Sequence, residues 1–467
     1  MNTAKATHLF QSDASLALGE ARAAKAQRTA HGAAYGYPIW LGVGSSPLPR
    51  SNDERTLPPT RDLASLAERA AGADGGLHKV LHATLADECL FTAEAGRLAR
   101  RTHLETGEAL GTYAKHGGPV TGLAVIPVQP GRLLLCTASW DRQLRFYAAE
   151  RPGTPFLCVD NAASDLLKAL HYDATHAILC SGGSDKTVRL WDLHPMLTWA
   201  QGLSDSAWAA GPTDAPRPSI VGSYQVHTRP VVSLTSVPPA PMPATQWAPD
   251  VRDSLDGALL LWSADSMGRI VQVRFDAAHQ RCLVERELDG PETNVHQLVP
   301  HWRTYDEDLY TLDVWCVSSD RTVRRFPLSA HARDTILPGR VSQAGAPVGT
   351  APPLRTDVCL SVPVGARSVL PLATEGQVIL GCADGTLQLW SVPSGTCEHV
   401  LDGHWHEVTF LGVWHRAAEP FLVSASLDGT VRRWPWSQWT SPSPAPALTS
   451  ALLTAEEEAE LEAFLNE

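Results

Sequence analysis

The chain contains 467 residues and carries a formal net charge of −12 at neutral pH. Direct nucleic-acid binding is therefore not expected, because phosphate contacts need a basic face. Hydrophobic residues make up 44% and charged residues 19% of the chain, which is enough apolar material for a large core and excludes global disorder. No run of about 18 apolar residues and no secretory signal is present, so membrane insertion is not expected.

The nine cysteines show no C-x-x-C spacing. Such cysteines are typical of small buried side chains in a reducing compartment, so we expect a cytoplasmic and/or nuclear protein. The fifteen tryptophans favour an architecture that uses one large aromatic residue per repeat.

The amino-terminal part of the chain differs from the rest. Residues 1–35 are rich in alanine and predict an extension that is disordered or weakly helical. Residues 36–76 form a lead-in, in which residues 37–43 (YPIWLGV) predict a strand and Asp62 lies where a short helix would be capped.

Residues 177–192 (AILCSGGSDKTVRLWD) predict a short β-hairpin, because two strand-like runs flank a polar turn that follows two glycines. This stretch resembles the signature of the WD-repeat family, including the Trp191–Asp192 pair that gives the family its name. A four-stranded unit of this kind cannot bury both of its faces alone, so further copies are expected.

Seven copies can be identified by similarity to this pattern. Six turn positions are 141, 185, 267, 320, 384 and 428, and two of the steps between them are 44 residues long. That length matches the repeat class, which has roughly 40–45 residues. The longer steps contain insertions at residues 196–218, 237–256 and 329–354.

Seven copies in residues 77–437 imply an all-β fold. We predict a seven-bladed β-propeller of four-stranded antiparallel blades, with short helical or disordered N- and C-terminal extensions. Rings of this family usually close with an amino-terminal strand, and residues 37–43 are the candidate. Residues 438–450 form a Pro/Ser linker, and residues 451–467 predict an acidic C-terminal helix or tail.

In the WD-repeat family, a tryptophan, a serine or threonine, a histidine and the turn aspartate form a buried chain of hydrogen bonds. The resemblance implies this structural tetrad at His404, Ser424, Asp428 and Trp434 in the seventh copy, at His116, Thr137 and Asp141 in the second, and at Ser181, Asp185 and Trp191 in the third. The second copy has Tyr147 in the tryptophan place, and the third lacks the histidine. The first copy lacks a turn aspartate, and the fourth has Met267 at that place.

The resemblance also implies a docking face for partners. Transferred to this chain, the face includes Trp140, Ser184, Arg229, Ser319, Trp405 and Leu427. Tryptophan is a common anchor at protein interfaces, which favours a binding role for Trp140 and Trp405. The alternative is that each indole lies flat on the propeller beneath a long loop.

No catalytic motif, cofactor-binding loop or paired cysteine ligand set is found, so no catalytic, cofactor or metal residue is assigned. His404 and His406 have a spacing that could ligate a metal, but His404 already belongs to a tetrad. Six third-strand arginines could form an anion site, yet we expect their stems to follow the blades and their charged groups to lie in water. These are Arg145, Arg189, Arg324, Arg325, Arg432 and Arg433.

The sequence therefore predicts a non-enzymatic scaffold, monomeric on its own, that binds one or more proteins or peptides on one propeller face and assembles an intracellular complex. An alternative is a substrate receptor of a cullin–RING ubiquitin ligase, because residues 188–192 resemble that subset of WD-repeat proteins. His194 stands where that subset has an arginine. A remote alternative is an enzyme with catalytic residues in its loops. The acidic tail could separately enter a groove on a partner.

Overall fold

The structure, a computed structural model, describes residues 37–40, 79–113, 116–255, 257–306, 309–328, 355–372, 376–416 and 419–440. Its strands form seven separate four-stranded antiparallel sheets. The predicted seven-bladed propeller is therefore confirmed. The predictions for residues 1–35, for the acidic tail and for the insertion at 329–354 lie outside the described residues.

The first three blades follow one another along the chain. Blade 1 consists of β2 (Val80–Ala86), β3 (Cys89–Glu94), β4 (Ala99–His103) and β5 (Ala109–Tyr113). Blade 2 consists of β6 (Val120–Gln129), β7 (Arg132–Ser139), β8 (Leu144–Ala148) and β9 (Leu157–Val159). Blade 3 consists of β10 (Leu167–Asp173), β11 (Ile178–Gly183), β12 (Val188–Asp192) and β13 (Ser219–Tyr224).

Blades 4 to 6 repeat this order. Blade 4 consists of β14 (Val231–Ser236), β15 (Leu259–Asp265), β16 (Ile270–Asp276) and β17 (Arg281–Leu288). Blade 5 consists of β18 (Val295–Asp306), β19 (Leu309–Ser318), β20 (Thr322–Pro327) and β21 (Val358–Ser361). Blade 6 consists of β22 (Ala366–Pro371), β23 (Gln377–Cys382), β24 (Thr386–Ser391) and β25 (Thr396–Asp402).

Blade 7 joins the two ends of the propeller. It contains β26 (Val408–Trp414), β27 (Phe421–Ser426) and β28 (Thr430–Pro435), and its fourth strand is β1 (Tyr37–Trp40). β1 lies antiparallel to β28, with Tyr37 opposite Arg433 and Trp40 opposite Thr430. The first strand of each blade contacts that of the next, and β26 contacts β2, so the sheets form a closed ring.

Apolar clusters fill the spaces between adjacent blades. One of them joins Cys180 and Val188 of blade 3 to Val231 and Val273 of blade 4. Each sheet therefore buries both of its faces against its neighbours, which a single blade could not do.

The connections define two faces. In each blade, the turn between the second and third strands lies at the same end as the loop that leads to the next blade. We call this end the top face and the opposite end the bottom face. Gly268, in the top-face turn of blade 4, has a φ of 93° and faces the carbonyl of Pro291. A Cβ there would lie 1.5 Å from that oxygen, so only glycine fits this turn.

Four α-helices and one short 3-10 helix (Ala244–Gln246) accompany the strands within the described residues. α1 (His194–Gly202) and α2 (Asp205–Ala210) follow β12, α3 (Pro249–Leu255) precedes β15, and α4 (Ser437–Thr440) follows β28. The helices α1 to α3 lie in the insertions of blades 3 and 4, on the bottom face. Helices were predicted only for the terminal extensions and for the lead-in at residues 36–76, so their presence in the propeller is a finding of the structure.

Candidate functional site: the top face of the propeller

Blade 7 has a continuous chain of hydrogen bonds beneath its top-face turn. Trp434 Nε1 donates to Ser424 Oγ at 2.9 Å, and Ser424 Oγ lies 2.8 Å from His404 Nε2. His404 Nδ1 lies 3.0 Å from Asp428 Oδ2. Because an indole can only donate and a carboxylate can only accept, Trp434 donates at one end of the chain and Asp428 accepts at the other. The four residues stand in contact as the family resemblance implies.

The carboxylate of Asp428 is buried and charged. It accepts hydrogen bonds from Thr430 Oγ1 at 2.6 Å, Thr430 N at 2.8 Å and Trp405 N at 3.1 Å. Burial alone would raise the pKa of Asp428, but the charge and hydrogen bond of His404 outweigh it and hold the pKa below its usual range. The tetrad thus ties the turn of blade 7 to the loop that carries Trp405.

Blade 2 contains the same arrangement with a tyrosine at the outer end. His116 Nε2 lies 2.7 Å from Thr137 Oγ1, and His116 Nδ1 lies 2.8 Å from Asp141 Oδ2. Burial raises the pKa of the Tyr147 hydroxyl to about 12. Burial opposes ionisation of Asp141, yet hydrogen bonds from His116 and from Gly117 N lower its pKa to about 2.

Blade 3 has no tetrad histidine, and an arginine provides the opposite charge instead. Trp191 Nε1 donates to Ser181 Oγ at 2.9 Å. The guanidinium of Arg189 lies 2.8 Å from the Asp185 carboxylate, which also accepts from Ser164 N at 3.0 Å. The Arg189 nitrogen nearest to this carboxylate has no hydrogen-bond partner. The contact is therefore an ion pair without the geometry of a hydrogen bond.

The expectation that the third-strand arginines keep their charged groups in water is wrong. Arg324 pairs with Asp320 at 3.0 Å, and Arg325 pairs with Asp357 at 2.6 Å. The other groups also meet protein acceptors or are buried. Arg145 donates to Gln143, Arg433 donates to the carbonyl of Glu105, and Arg432 is completely buried. In blades 2, 3 and 5, the guanidinium of the third-strand arginine pairs with the turn aspartate four residues earlier. An arginine whose charged group lay in water would not make this contact.

The tetrad of blade 4 does not use residue 267, where the turn aspartate was expected. Its carboxylate belongs to Asp265, two residues earlier at the end of β15. His227 lies 2.8 Å from Ser263 Oγ through Nε2 and 3.3 Å from Asp265 Oδ2 through Nδ1. Tyr224 of blade 3 takes the tryptophan place and donates to Ser263 Oγ at 3.0 Å. Met267 is exposed, and its backbone N–H donates to Asp265.

Blade 1 also has a buried carboxylate, at the end of β3, which was not predicted. Glu94 is fully buried and lies two residues after Thr92, the same offset as in blade 4. Thr92 Oγ1 donates to it at 3.3 Å and Arg100 Nε at 2.9 Å. A search for carboxylates two residues after the strand hydroxyl would have found both sites.

Blade 6 also departs from the family pattern, because Leu380 stands in the place of the strand hydroxyl. The side chain of Asp384 accepts from Thr386 N at 3.0 Å and Thr386 Oγ1 at 2.7 Å. Trp390 Nε1 donates to Gln388 Oε1 at 2.9 Å, so its indole is satisfied within its own strand.

These networks position the residues predicted for partner binding, and all six lie in top-face turns or loops. Trp140 is 41% exposed, and Arg229 and Ser319 are also exposed. Ser184, Trp405 and Leu427 are half-buried. Met267 and Val364 add exposed apolar side chains to this face, and neither was predicted.

The bottom face differs, because aromatic residues are buried at the insertions of blades 3 and 4. Trp208 of α2 is buried, donates to Glu150 Oε2 at 3.2 Å, and lies beneath the guanidinium of Arg132 at 5.5 Å. Trp302 of blade 5 is also buried and stacks with Trp247 at 5.0 Å between ring centroids. These bottom-face tryptophans are thus covered, whereas Trp140 of the top face is exposed.

The described residues contain no group of three or more histidine, cysteine or acidic side chains that could hold a metal ion. His406, which the sequence paired with His404, accepts a hydrogen bond from Glu407 N at its Nδ1. None of the helices in the described ranges has the length and apolar character needed to cross a membrane.

Comparisons with known proteins agree with this geometry. The family described as "WD domain, G-beta repeat" matches residues 107–147, 158–192 and 395–435, which correspond to blades 2, 3 and 7. Transducin beta-like protein 3 from Bos taurus is 25% identical over 349 residues, covering 70% of this chain and 38% of that protein. The ribosome biogenesis protein WDR12 homolog from Ixodes scapularis is 34% identical over 71 residues, covering 15% of this chain and 16% of that protein.

The matched part of the chain therefore spans well under half the length of either relative. Among solved structures, the computationally designed Ika8 protein has a TM-score of 0.46 and 17% sequence identity, over 76% of this chain and 83% of that chain.

Proposed function

We propose that this chain, a WD-repeat protein with a seven-bladed propeller, is a non-enzymatic scaffold that binds partner proteins through its top face. The observation that carries the proposal is the exposure of Trp140. Its indole is 41% exposed, and it is the one exposed tryptophan among those whose side chains the structure describes. Leaving so large an apolar surface in water is unfavourable, and tryptophan is among the side chains that most often anchor interfaces.

The rest of the top face supports this role. Its turns are fixed by buried charged networks, so its side chains are held in place before a partner arrives. Such preorganisation lowers the entropy lost on binding. Elsewhere on the same face, the exposed Arg229 and Ser319 offer polar contacts. We propose that the propeller is monomeric without its partners.

The two alternatives receive less support. A ubiquitin-ligase receptor of the resembling subset would use an arginine where His194 stands. His194 instead begins α1, and its Nδ1 lies 2.8 Å from Asp192 Oδ1. An enzyme would need convergent acid, base or nucleophilic groups in a cleft. Ser236, His171 and Asp173 are in contact, but Ser236 Oγ donates to Asp173 at 2.6 Å and is buried, which is a structural arrangement.

One relative is named a ribosome biogenesis protein. We propose ribosome assembly as the process in which the scaffold acts, and the nucleus as a place where it works. Co-sedimentation of the tagged protein with ribosomal precursor particles, together with its location by fluorescence microscopy, would test both points. A protein absent from the nucleus and from every ribosomal fraction would contradict them.

Affinity purification with quantitative mass spectrometry tests the docking face. Partners captured by the wild type should be lost or strongly reduced with Trp140→Ala. The matched control is Ile220→Ala, since Ile220 is 50% exposed on the outer strand β13, away from the top-face turns. If the wild type and a folded Trp140→Ala variant captured the same partners in equal amounts, the face around Trp140 would have no role in binding.

A further inference from the structure

A pocket opens on the top face between blades 5 and 6. Its volume is about 220 Å³, and its lining includes His296, Ser319, Arg321, Val364, Arg367 and Ala383. These residues come from the starts of β18 and β22 and from the turns of both blades. Two of them, Ser319 and Ala383, directly precede the turn aspartates of their blades.

The inner wall of the pocket holds a fixed guanidinium. Arg367 donates to His296 through one terminal nitrogen, and the other lies 3.1 Å from Glu407 Oε1. Ser319 Oγ lies 2.8 Å from His296 Nε2, which joins the turn of blade 5 to this cluster. Burial and the neighbouring Arg367 lower the pKa of His296 to about 4, so its ring is neutral at physiological pH. Arg367 is therefore held between a neutral base and one carboxylate.

The outer wall holds a second guanidinium. Arg321 is exposed in the turn of blade 5, and its stem passes close to Gly365, where an added Cβ would lie 3.5 Å from its Cγ. No ion pair involves Arg321 within the residues that the structure describes. The two arginines and Glu407 leave the pocket with one positive charge in excess, in a protein whose net charge is −12.

The size and chemistry of the pocket point to a short ligand. Small-molecule sites usually have about 300–1,000 Å³, so this pocket is smaller than a typical cofactor site. It has room for one side chain with its first methylene groups, and Val364 and Ala383 provide apolar contact for them. Arginine binds carboxylates strongly because its planar N–H groups match the two oxygens.

We propose that this pocket binds the carboxylate of a glutamate or aspartate side chain from an acidic segment of a partner protein, with Arg321 closing over it against Arg367. The proposal rests on the proposed function, because it assumes that partners dock on the top face. It adds the chemistry of the contact and a position distinct from Trp140.

Methyl NMR of the full chain tests the proposal directly. Alanine and valine methyl signals from Val364, Ala366 and Ala383 are followed at low ionic strength during titration with N-acetyl-glutamate N-methylamide. We expect saturable shifts at these methyls, and none with the glutamine analogue of the same probe. Arg321→Gln should raise the apparent Kd at least about tenfold, since a charged hydrogen bond is lost. Unchanged spectra elsewhere would show that the variant is folded.

The matched control is Arg142→Gln. Arg142 is exposed at the equivalent turn position of blade 2, with a φ of 67° against 65° for Arg321, and it lies outside the pocket. Its variant should bind like the wild type. Equal shifts with the glutamine analogue, no shifts at millimolar probe, or tighter binding of inorganic phosphate would each overturn the assignment.

A second arm addresses the acidic segment of the chain itself. If the glutamate probe bound only after the chain was ended at Ser450, the pocket would belong to residues 451–467 and not to a partner. The NMR titration does not depend on partner capture by Trp140, so either proposal can fail while the other stands.

Discussion

Replacing Asp428 by alanine should be among the most damaging changes in the propeller. The Asp428 side chain is 0% exposed and accepts hydrogen bonds from His404, from Trp405 N and from both N and Oγ1 of Thr430. Asp428→Ala removes the acceptor and leaves these donors, together with a buried histidine, without their partner. The turn of blade 7 then also loses its connection to the loop that carries Trp405.

The expected loss follows from the number of buried donors. An unsatisfied buried donor costs about 1–3 kcal/mol, and breaking a buried charged pair costs about 3–5 kcal/mol. Some donors regain water, because Trp405 lies in a half-buried loop, so the contributions do not add fully. We expect a decrease of about 3–5 kcal/mol in the free energy of unfolding, a large part of the roughly 5–15 kcal/mol of a typical protein.

The comparison with Asp384→Ala makes the prediction specific. Asp384 is exposed and accepts hydrogen bonds from Thr386, so its loss should cost about 1 kcal/mol or less. Urea unfolding followed by tryptophan fluorescence measures both variants. If the two variants lost equal stability, the buried network would not hold blade 7 as described.

Two further predictions concern the other turn aspartates. The pKa of Asp141 is about 2 in the folded protein against an ordinary 3.8, so the unfolded chain binds the proton first and stability falls as pH drops from about 4 towards 2. Asp141→Asn should reduce this acid-dependent loss by about 2 kcal/mol in urea unfolding at pH 5 and pH 2, and an unchanged pH profile would contradict it. In blade 3, Arg189→Met should cost about 1–3 kcal/mol, because Asp185 is 5% exposed and has no histidine. Arg145→Met should cost less, because Asp141 keeps His116 and its carboxylate lies 3.7 Å from Arg145. If Arg145→Met lowered the urea unfolding midpoint more than Arg189→Met, Arg189 would not fill the role of the missing histidine in blade 3.

Much of the propeller can be predicted from local sequence. The hairpin pattern with its turn aspartate and following tryptophan or tyrosine is continuous in sequence, so blades 2, 3 and 7 are visible without a structure. A strand was predicted at residues 37–43, and the structure has β1 at Tyr37–Trp40, paired with the last blade. The number of blades follows from the seven copies of this pattern.

The carboxylates of blades 1 and 4 were missed because their position along the strand changed. Asp265 reaches its histidine from the end of β15, while its other oxygen accepts from Met267 N at 2.9 Å and Arg269 N at 3.1 Å. Asp265 therefore does the work of the turn aspartate from a position two residues before residue 267. In this blade, the hydroxyl of Tyr224 comes from the neighbouring sheet, which no pattern within one repeat can show.

The helices and the pocket depend on contacts between distant parts of the chain. α2 is stabilised by Ser204, which accepts from Ala207 N at its start, and by the contact of Trp208 with Arg132, more than seventy residues earlier. The pocket between blades 5 and 6 brings residue 296 next to residue 367, a separation of 71 positions. Such contacts arise only when adjacent blades pack against each other, so local sequence patterns do not reveal them.

Hydrogen–deuterium exchange on the protein with and without a purified partner tests the central claim that the top face is the binding surface. We predict slower exchange in peptides that cover the top-face turns at residues 139–143 and 183–187, and unchanged exchange at residues 203–211 in the helical insertion of the bottom face. Slower exchange confined to residues 203–211, with the turns unaffected, would contradict the account.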